Sequence, residues 1–356
     1  MESWIGYRSV LTAVAAVVVG VGTGPSAARA DTPRVLYRAS APIQDMTGGG
    51  GRSAWSELLP TCFSIWIRTN STGKVQRFTC SSPSTAGGVD AVSSTHVYWE
   101  TTFLGQNEEG GALFATGEPF TTTQVDRFDL LCGASGCACG PLGSIDDEGF
   151  AIGDGSLVYG VSDYSATCPG GAEVFTGGRV ERIEGAAPVV LDSSPGASRI
   201  AAAGNLFAEL AHIPNGPLQP DIQVRSAVSG ALVSTIHPAG DVVGLGMSGA
   251  GVGVQVSVAG VQTIRLYNPA TGALEHQVWV KPSAGMASMS GERILYAVGS
   301  SLRSTELHTL NLLTWRTHLL YTLGPRRTDP ELHLDGRLVS WRSGTALMGI
   351  LLPPLP

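Results

Sequence analysis

The residues able to do chemistry in this chain are few, and the acidic clusters come first. Asp146-Asp147-Glu148, with Asp154 close behind, groups oxygens of the kind that hold calcium. Its spacing matches no standard calcium loop, however, and a solvated acidic turn has the same composition. Glu108-Glu109, in a Gly-flanked stretch, reads the same way. A carboxylate pair for glycoside hydrolysis needs one member with a raised pKa and a fixed separation across the site, which spacing alone does not supply. Gly244-Leu245-Gly246-Met247-Ser248-Gly249 matches G-x-G-x-x-G. A dinucleotide site requires a helix next, whereas Val252-Gly253-Val254-Gln255-Val256 follows, in the alternation of a strand. There is no G-x-S-x-G, H-E-x-x-H or P-loop, and the seven histidines are dispersed. His96 and His333 fall inside strand-like runs, as packed or hydrogen-bonded groups rather than ligands. Arg52, Trp55 and Tyr164 stand in stretches that read as long loops, where they could stack on a sugar or anchor a protein. These residues imply no catalytic constellation, metal or cofactor.

The elements that must position these groups are short strands. Apolar residues alternate, a polar or Gly turn follows, and a second β-branched or aromatic run begins, the pattern of a hairpin. Ser288–Val298 is the clearest copy, with others at Met247–Val254, Phe150–Tyr159 and Leu332–Val339, and weaker ones at Ile200–Phe207 and Val89–Tyr98. A second hairpin in each unit turns at Thr-Gly or Ser-Gly. These turns are Thr72-Gly73, Thr116-Gly117, Thr176-Gly177, Ser229-Gly230 and Thr271-Gly272, with Thr314-Trp315 in the equivalent place. The last three stand 42 and 43 residues apart, the length of a propeller blade. Counting second strands, with Arg34-Val35-Leu36-Tyr37 as the first, predicts an all-β fold: a β-propeller of seven four-stranded blades, with six as the alternative. Incomplete units at both ends predict that the termini share one blade and close the ring.

Several segments resemble known propeller repeats. Leu334–Trp341 (LDGRLVSW) and Ser194–Ala202 (SPGASRIAA) are similar to the S-P-D-G-x-x-I-A hairpin of TolB-like and YVTN-type β-propellers. Leu266–Trp279 (LYNPATGALEHQVW) resembles the strand-turn-strand segment of quinoprotein-type repeats. The resemblance implies a propeller fold and no particular activity, because propellers host many. The Gly-His and Trp-Asp dipeptides of WD repeats are absent, as are the Asp boxes of sialidases, and Trp recurs too rarely for a quinone site. Trp66, Trp99, Trp279, Trp315 and Trp341 lie in or beside strands and read as packing between blades.

Residues 1–30 read as a signal peptide: Arg8 precedes the apolar run Leu11–Val21, and Ala28-Arg29-Ala30 ends in a small-residue cleavage pattern. The run is too short to span a bilayer. Residues 31–356 then form a single propeller domain, extracytoplasmic (secreted or periplasmic), with no membrane span. Of the 22 basic and 29 acidic residues, Arg8, Arg29 and Glu2 leave with the leader, so the mature chain carries a net charge of −8. That sign argues against nucleic acid or an anionic membrane as partner.

Six cysteines in an exported chain predict oxidation. Cys62 and Cys80 flank a hairpin whose turn lies near Ser71, and counting outward sets them opposite each other, ready to bridge. Cys132, Cys137, Cys139 and Cys168 form a second group with three possible pairings. Zinc sites usually present paired C-x2-C knuckles, so this group also reads as disulfides.

In a four-stranded blade the 2–3 and 4–1 connections emerge on one rim, and the 1–2 and 3–4 turns on the other. Ser40–Thr61, Thr102–Gly111, Ser162–Gly171 and His212–Pro220 read as long 2–3 loops, and Leu131–Glu148 as a 4–1 loop. All belong to one rim and to the first four blades. Loops on a rigid scaffold concentrate binding residues. The expectation is therefore a binding module for a protein or cell-envelope glycan, using Arg52, Trp55, Glu108, Glu109, Asp146, Asp147 and Tyr164. The alternative is an extracytoplasmic propeller enzyme acting on polysaccharide or a lactone, with acids such as Asp146 or Glu109 at the channel mouth.

Overall fold

The structure is a computed structural model that describes residues 32–81, 85–104, 108–117, 121–132, 141–166, 173–184, 187–193, 197–211, 221–301, 304–324 and 331–355. The second strand of each blade shows why this sequence makes sheets that stack edge-on around an axis. In Gly251–Val258 every residue up to Val256 is buried, because neighbouring blades cover both faces of the strand. Val252, Val254 and Val256 point into one cluster with Leu210, Ile222 and Val224 of the preceding blade. Gln255 faces the other way, and its amide donates to Ala284 O and accepts from Met286 N in the next blade. Outer strands such as Leu274–Val280 have one wet face and no outer neighbour, and they are largely exposed. The core therefore lies between blades rather than at one centre.

Seven antiparallel sheets make the ring. Blade 1 runs Ile43–Gly49, Arg52–Leu58, Phe63–Thr69, Val75–Ser81 from axis to exterior. Blade 2 (Val89–Val92, His96–Leu104, Glu108–Gly117, Thr121–Cys132) carries a two-residue extra strand, Thr85–Ala86, in line with its inner one and paired to the same second strand. Blades 3, 4, 5 and 6 begin with inner strands Pro141–Gly153, Ala197–Ala203, Asp241–Ser248 and Ala284–Ser290. Blade 7 is built from both ends of the chain. Leu332–Asp335 is its inner strand, Leu338–Ser343 and Ala346–Leu351 follow, and Arg34–Arg38 from the N-terminus completes it as the outermost strand.

Blade number and closure agree with the sequence reading, but the starting frame does not. Arg34–Tyr37 is the outer strand of the closing blade rather than the second strand of a first unit. The second strand of blade 1 is Arg52–Leu58, within the stretch Ser40–Thr61 that reads as a loop. The hairpin escapes notice because Ile43–Gly49 ends in glycines forced by crowding at the axis. A Cβ on Gly48 would lie 3.0 Å from His333 Cβ, and one on Gly49 3.0 Å from Val92 O. Thr176-Gly177 is likewise no 3–4 turn; it lies at a bulge inside the third strand of blade 3, Glu173–Glu184. The G-x-G-x-x-G run is the inner strand of blade 5, whose Gly246 leaves room for Met286 and Met289 of blade 6.

Cys62 and Cys80 form a disulfide with a Cα–Cα distance of 5.1 Å, tying the start of the third strand of blade 1 to the end of its outer strand. Cys132 ends the outer strand of blade 2, and Cys137, Cys139 and Cys168 lie outside the described residues. On the chain-entropy relation, closing this 18-residue separation stabilises the fold by about 3 kcal/mol. Replacing both cysteines by serine is expected to lower the unfolding free energy by about that amount in urea titration, with the same folded-state circular dichroism.

Candidate functional site

The elaborated rim is built mainly by strands that outgrow the ring. Strands of blades 4 to 6 are mostly five to nine residues long. In blades 2 and 3 the strands Glu108–Gly117, Thr121–Cys132, Pro141–Gly153, Ser156–Ala166 and Glu173–Glu184 have ten to thirteen. Chain direction places the overrun of each on the 2–3 and 4–1 rim. Pro141–Ile145 pairs there with Val161–Ser165, and Glu108-Glu109 with Cys132 and Leu131. At about 3.3 Å per residue, five extra residues raise the edge by about 16 Å. Within the stretches that read as loops, residues 102–104, 108–111, 131–132, 141–145 and 162–166 are thus paired backbone, and 105–107, 133–140 and 167–171 lie outside the described residues.

A bulge recurs along the channel. The first-to-second-strand register slips by one residue at Gln44, Asp90, Ser198, Val243 and Ala287. Gln44, Val243 (39% exposed) and Ala287 are exposed on strands whose two faces are packed and whose other edge is paired, so they line the central channel. In blade 3 the same slip is larger. The four residues between Ile145 and Phe150 stand opposite the single Gly160, and they are Asp146, Asp147, Glu148 and Gly149. The acidic run is therefore an enlarged bulge on a channel-facing strand.

The channel mouth holds a second acidic feature, on blades 7, 1 and 2. Asp45 and Glu331 set their carboxyl groups side by side on one backbone N–H. Met46 N–H donates to Glu331 Oε2 at 2.6 Å and to Asp45 Oδ1 at 2.9 Å. Val89 N–H of blade 2 donates to Asp45 Oδ2 at 2.6 Å. Arg342 pairs with Glu331 Oε1 at 2.9 Å and also donates to Gln44 O. Burial, followed by the charge of Asp45, pushes Glu331 up to about 8. His333 Nε2–H donates to Met46 O at 2.9 Å, and burial lowers its pKa, so it is neutral. His96 is hydrogen-bonded to Thr95, and among the described residues there is no group of three or more His, Cys, Asp or Glu that could hold a metal ion.

Of the residues singled out in the sequence, Glu108, Glu109 and Tyr164 lie in the strand overruns on the raised rim of blades 2 and 3, and Asp146 and Asp147 lie in the channel-facing bulge at its foot. The other two do not. Arg52 opens the second strand of blade 1 beside the Gly50-Gly51 turn, on the opposite rim. Trp55 is not in a loop at all: it is fully buried, 4.8 Å from the Tyr37 ring and stacked on Trp66 at 6.5 Å, with Nε1–H donating to Glu57 Oε1. Trp279, expected between blades, instead lies on the outer strand of blade 5 and is 68% exposed. Asp45, Glu331 and Arg342 carry no sequence signal, since Met46 and Glu331 are 285 residues apart and meet only on closure.

Carboxyl contacts recur at two further seams. Arg225 bridges Glu209 of blade 4 and Asp192 of blade 3: its Nε lies 2.8 Å from Glu209 Oε1 and its second guanidinium nitrogen 3.1 Å from Asp192 Oδ2. Burial, then the Asp192 charge, pushes Glu209 up to about 7. Tyr159 OH lies 2.7 Å from both Asp126 and Glu181, linking blades 2 and 3, and burial raises its pKa.

The chain matches no family profile and no curated protein sequence. The solved structures it resembles are propellers. A chain of the mitotic checkpoint complex superposes with TM-score 0.51 at 13% identity, over 94% of this chain and 99% of that one. An uncharacterized protein of Listeria monocytogenes gives 0.53 at 8%, over 86% and 91%. Puromycin hydrolase gives 0.51 at 14%, over 85% of this chain and 50% of that one. This is a seven-bladed β-propeller. At these identities the likeness establishes the fold alone, a fold compatible with protein interaction.

Two outcomes follow. Trp55→Ala removes the centre of the blade 7–blade 1 core and is expected to cost about 3–5 kcal/mol in urea unfolding. Glu209 keeps its proton in the folded state to about pH 7, against an ordinary value of 4.5. Its stabilisation is complete below 4.5 and is lost as pH rises to about 7, by up to about 3 kcal/mol. Glu209→Gln is expected to flatten that part of the stability–pH curve, measured by thermal unfolding at stepped pH.

Proposed function

We propose that this chain is an extracytoplasmic binding module that takes a protein or a cell-envelope glycan on the raised rim of blades 2 and 3. The supporting observation is that their strands all overrun the ring on the same rim and carry with them Glu108, Glu109, Asp146, Asp147 and Tyr164. A paired edge presents donors, acceptors and side chains in fixed positions, which reduces the ordering cost of binding. Export is supported by the leader pattern of residues 1–30 and by the Cys62–Cys80 disulfide, a bond that persists in oxidising compartments. No helix among the described residues is long and apolar enough to cross a membrane.

A second reading, an extracytoplasmic enzyme acting on polysaccharide or a lactone, has one observation in its favour. The Asp45–Glu331 pair holds one carboxyl protonated near neutral pH at the channel mouth, as general acid catalysis requires.

The test is retention of the mature protein on immobilised envelope polysaccharide and on immobilised envelope proteins. A variant with residues 131–148 replaced by a short turn is run alongside. The binding reading expects retention on one matrix and its loss in the variant. Equal retention of both proteins, or release of sugar product by the wild type that Glu331→Gln abolishes, would sink it.

A further inference from the structure

The seam that closes the ring also brings two carboxyl groups together. Glu331 precedes the inner strand of blade 7 and Asp45 lies in the inner strand of blade 1, and both accept from the same Met46 N–H across the closing seam. Two carboxyl groups this close repel each other unless one keeps its proton. Every other group around the pair is accounted for. Met46 N–H and Val89 N–H donate to it, Arg342 supplies one positive charge, and His333 is neutral and turned to Met46 O. Asp90, on the inner strand of blade 2, is a third carboxyl beside the pair: the point a Gly88 Cβ would occupy lies 2.8 Å from Asp45 Oδ2 and 3.8 Å from Asp90 Oδ1. With one proton the pair carries a single negative charge, which Arg342 balances. Without it, two negative charges face one guanidinium.

We propose that the Asp45–Glu331 pair is a proton-held latch, which keeps blades 7, 1 and 2 locked while protonated and loosens the closing seam and channel mouth when that proton leaves. Tertiary contacts favour this reading over a merely tolerated burial of acid. The same Met46 whose N–H binds both carboxyls has its carbonyl held by His333 from blade 7, and Arg342 of blade 7 grips Gln44 O beside it. Separating the carboxyls therefore pulls on these two backbone attachments between blade 1 and blade 7, which stand beside the Ile43 N–H to Gly344 O bond of the same seam. The linkage has a definite sign. Glu331 is raised to about 8 from 4.5, so the stabilisation is present at low pH and is lost as pH rises through that window. Opposite behaviour would follow from an ordinary carboxylate salt bridge. The latch is independent of what the raised rim binds.

Hydrogen–deuterium exchange of the full chain at about pH 6.5 and about pH 9, corrected for intrinsic rates, tests this. Exchange in Ile43–Gly49 and Leu332–Asp335 is expected to rise about tenfold relative to Asp241–Ser248 in blade 5. Glu331→Gln keeps a donor towards Asp45 without a titrating proton, and is expected to abolish that rise. Should this variant not fold, Asp45→Asn removes the facing charge and is expected to abolish it equally. A rise of the same size in either variant, an equal rise in blade 5, or no rise in the wild type overturns the proposal.

Discussion

The structure depends on one long-range contact, the pairing of Arg34–Arg38 with Ala346–Leu351. Every other sheet is assembled from strands that follow one another in the chain, whereas this one joins the two ends. Joining chain ends some three hundred residues apart costs about 5 kcal/mol in closure entropy beyond the constant term. Apolar burial at the same seam offsets it. Trp55 alone removes roughly 150–250 Å² from water, about 4–6 kcal/mol at 25 cal/mol per Å². It is surrounded by Tyr37, Trp66, Met46 and Leu347, drawn from both ends of the chain. Leu36 fills the space that Gly349 leaves, where a Cβ would come within 2.6 Å of it. A cluster of three aromatic side chains, Trp55, Tyr37 and Trp66, is thus at the closing seam, where the chain connects its neighbours least.

This explains which parts of the fold were legible in the sequence. Hairpins of blades 4 to 6 repeat at nearly even spacing because their strands face apolar neighbours on both sides, as Val252, Val254 and Val256 do. The first hairpin of blade 1 has the same geometry but a different composition. Gly48 and Gly49 are squeezed by His333 and Val92, and Glu57 is fully buried, held by Trp55 and Ser40. Polarity in this stretch marks buried hydrogen bonds at the seam rather than exposure. The same substitution of close contact for apolar pattern misplaced Arg52 and Trp55, and Trp279 erred in the opposite sense by being left outside the ring.

The candidate site was legible in part for a related reason. Glu108, Glu109, Asp146, Asp147 and Tyr164 are near one another in blade order, so sequence position was enough to bring them to one rim. Length of insertion was visible; its conversion into paired strands was not, because polar residues such as Asp163 and Ser165 give no apolar alternation to read. Asp45 and Glu331 belong to no local pattern, and only closure brings them together.

The seams of the ring therefore differ in kind. Between blades 4 and 5 the contact is a packed set of Val, Ile, Leu and Met side chains, whose strength does not depend on protons. The seams 7–1 and 3–4 add carboxyl pairs, each facing one arginine, Arg342 or Arg225. Burying such a pair costs desolvation that the arginine offsets only while one carboxyl stays neutral. A hydrophobic seam holds equally at any pH; a seam that adds an acid pair to its apolar packing is weaker once the pair ionises. The raised rim of blades 2 and 3 stands between the two acid-pair seams, and the apolar packing of blades 4 and 5 lies outside that arc. Uniform blades would give a ring of even stiffness, and it is the placement of two pairs of carboxyls that makes this one uneven around the face where its strands are longest.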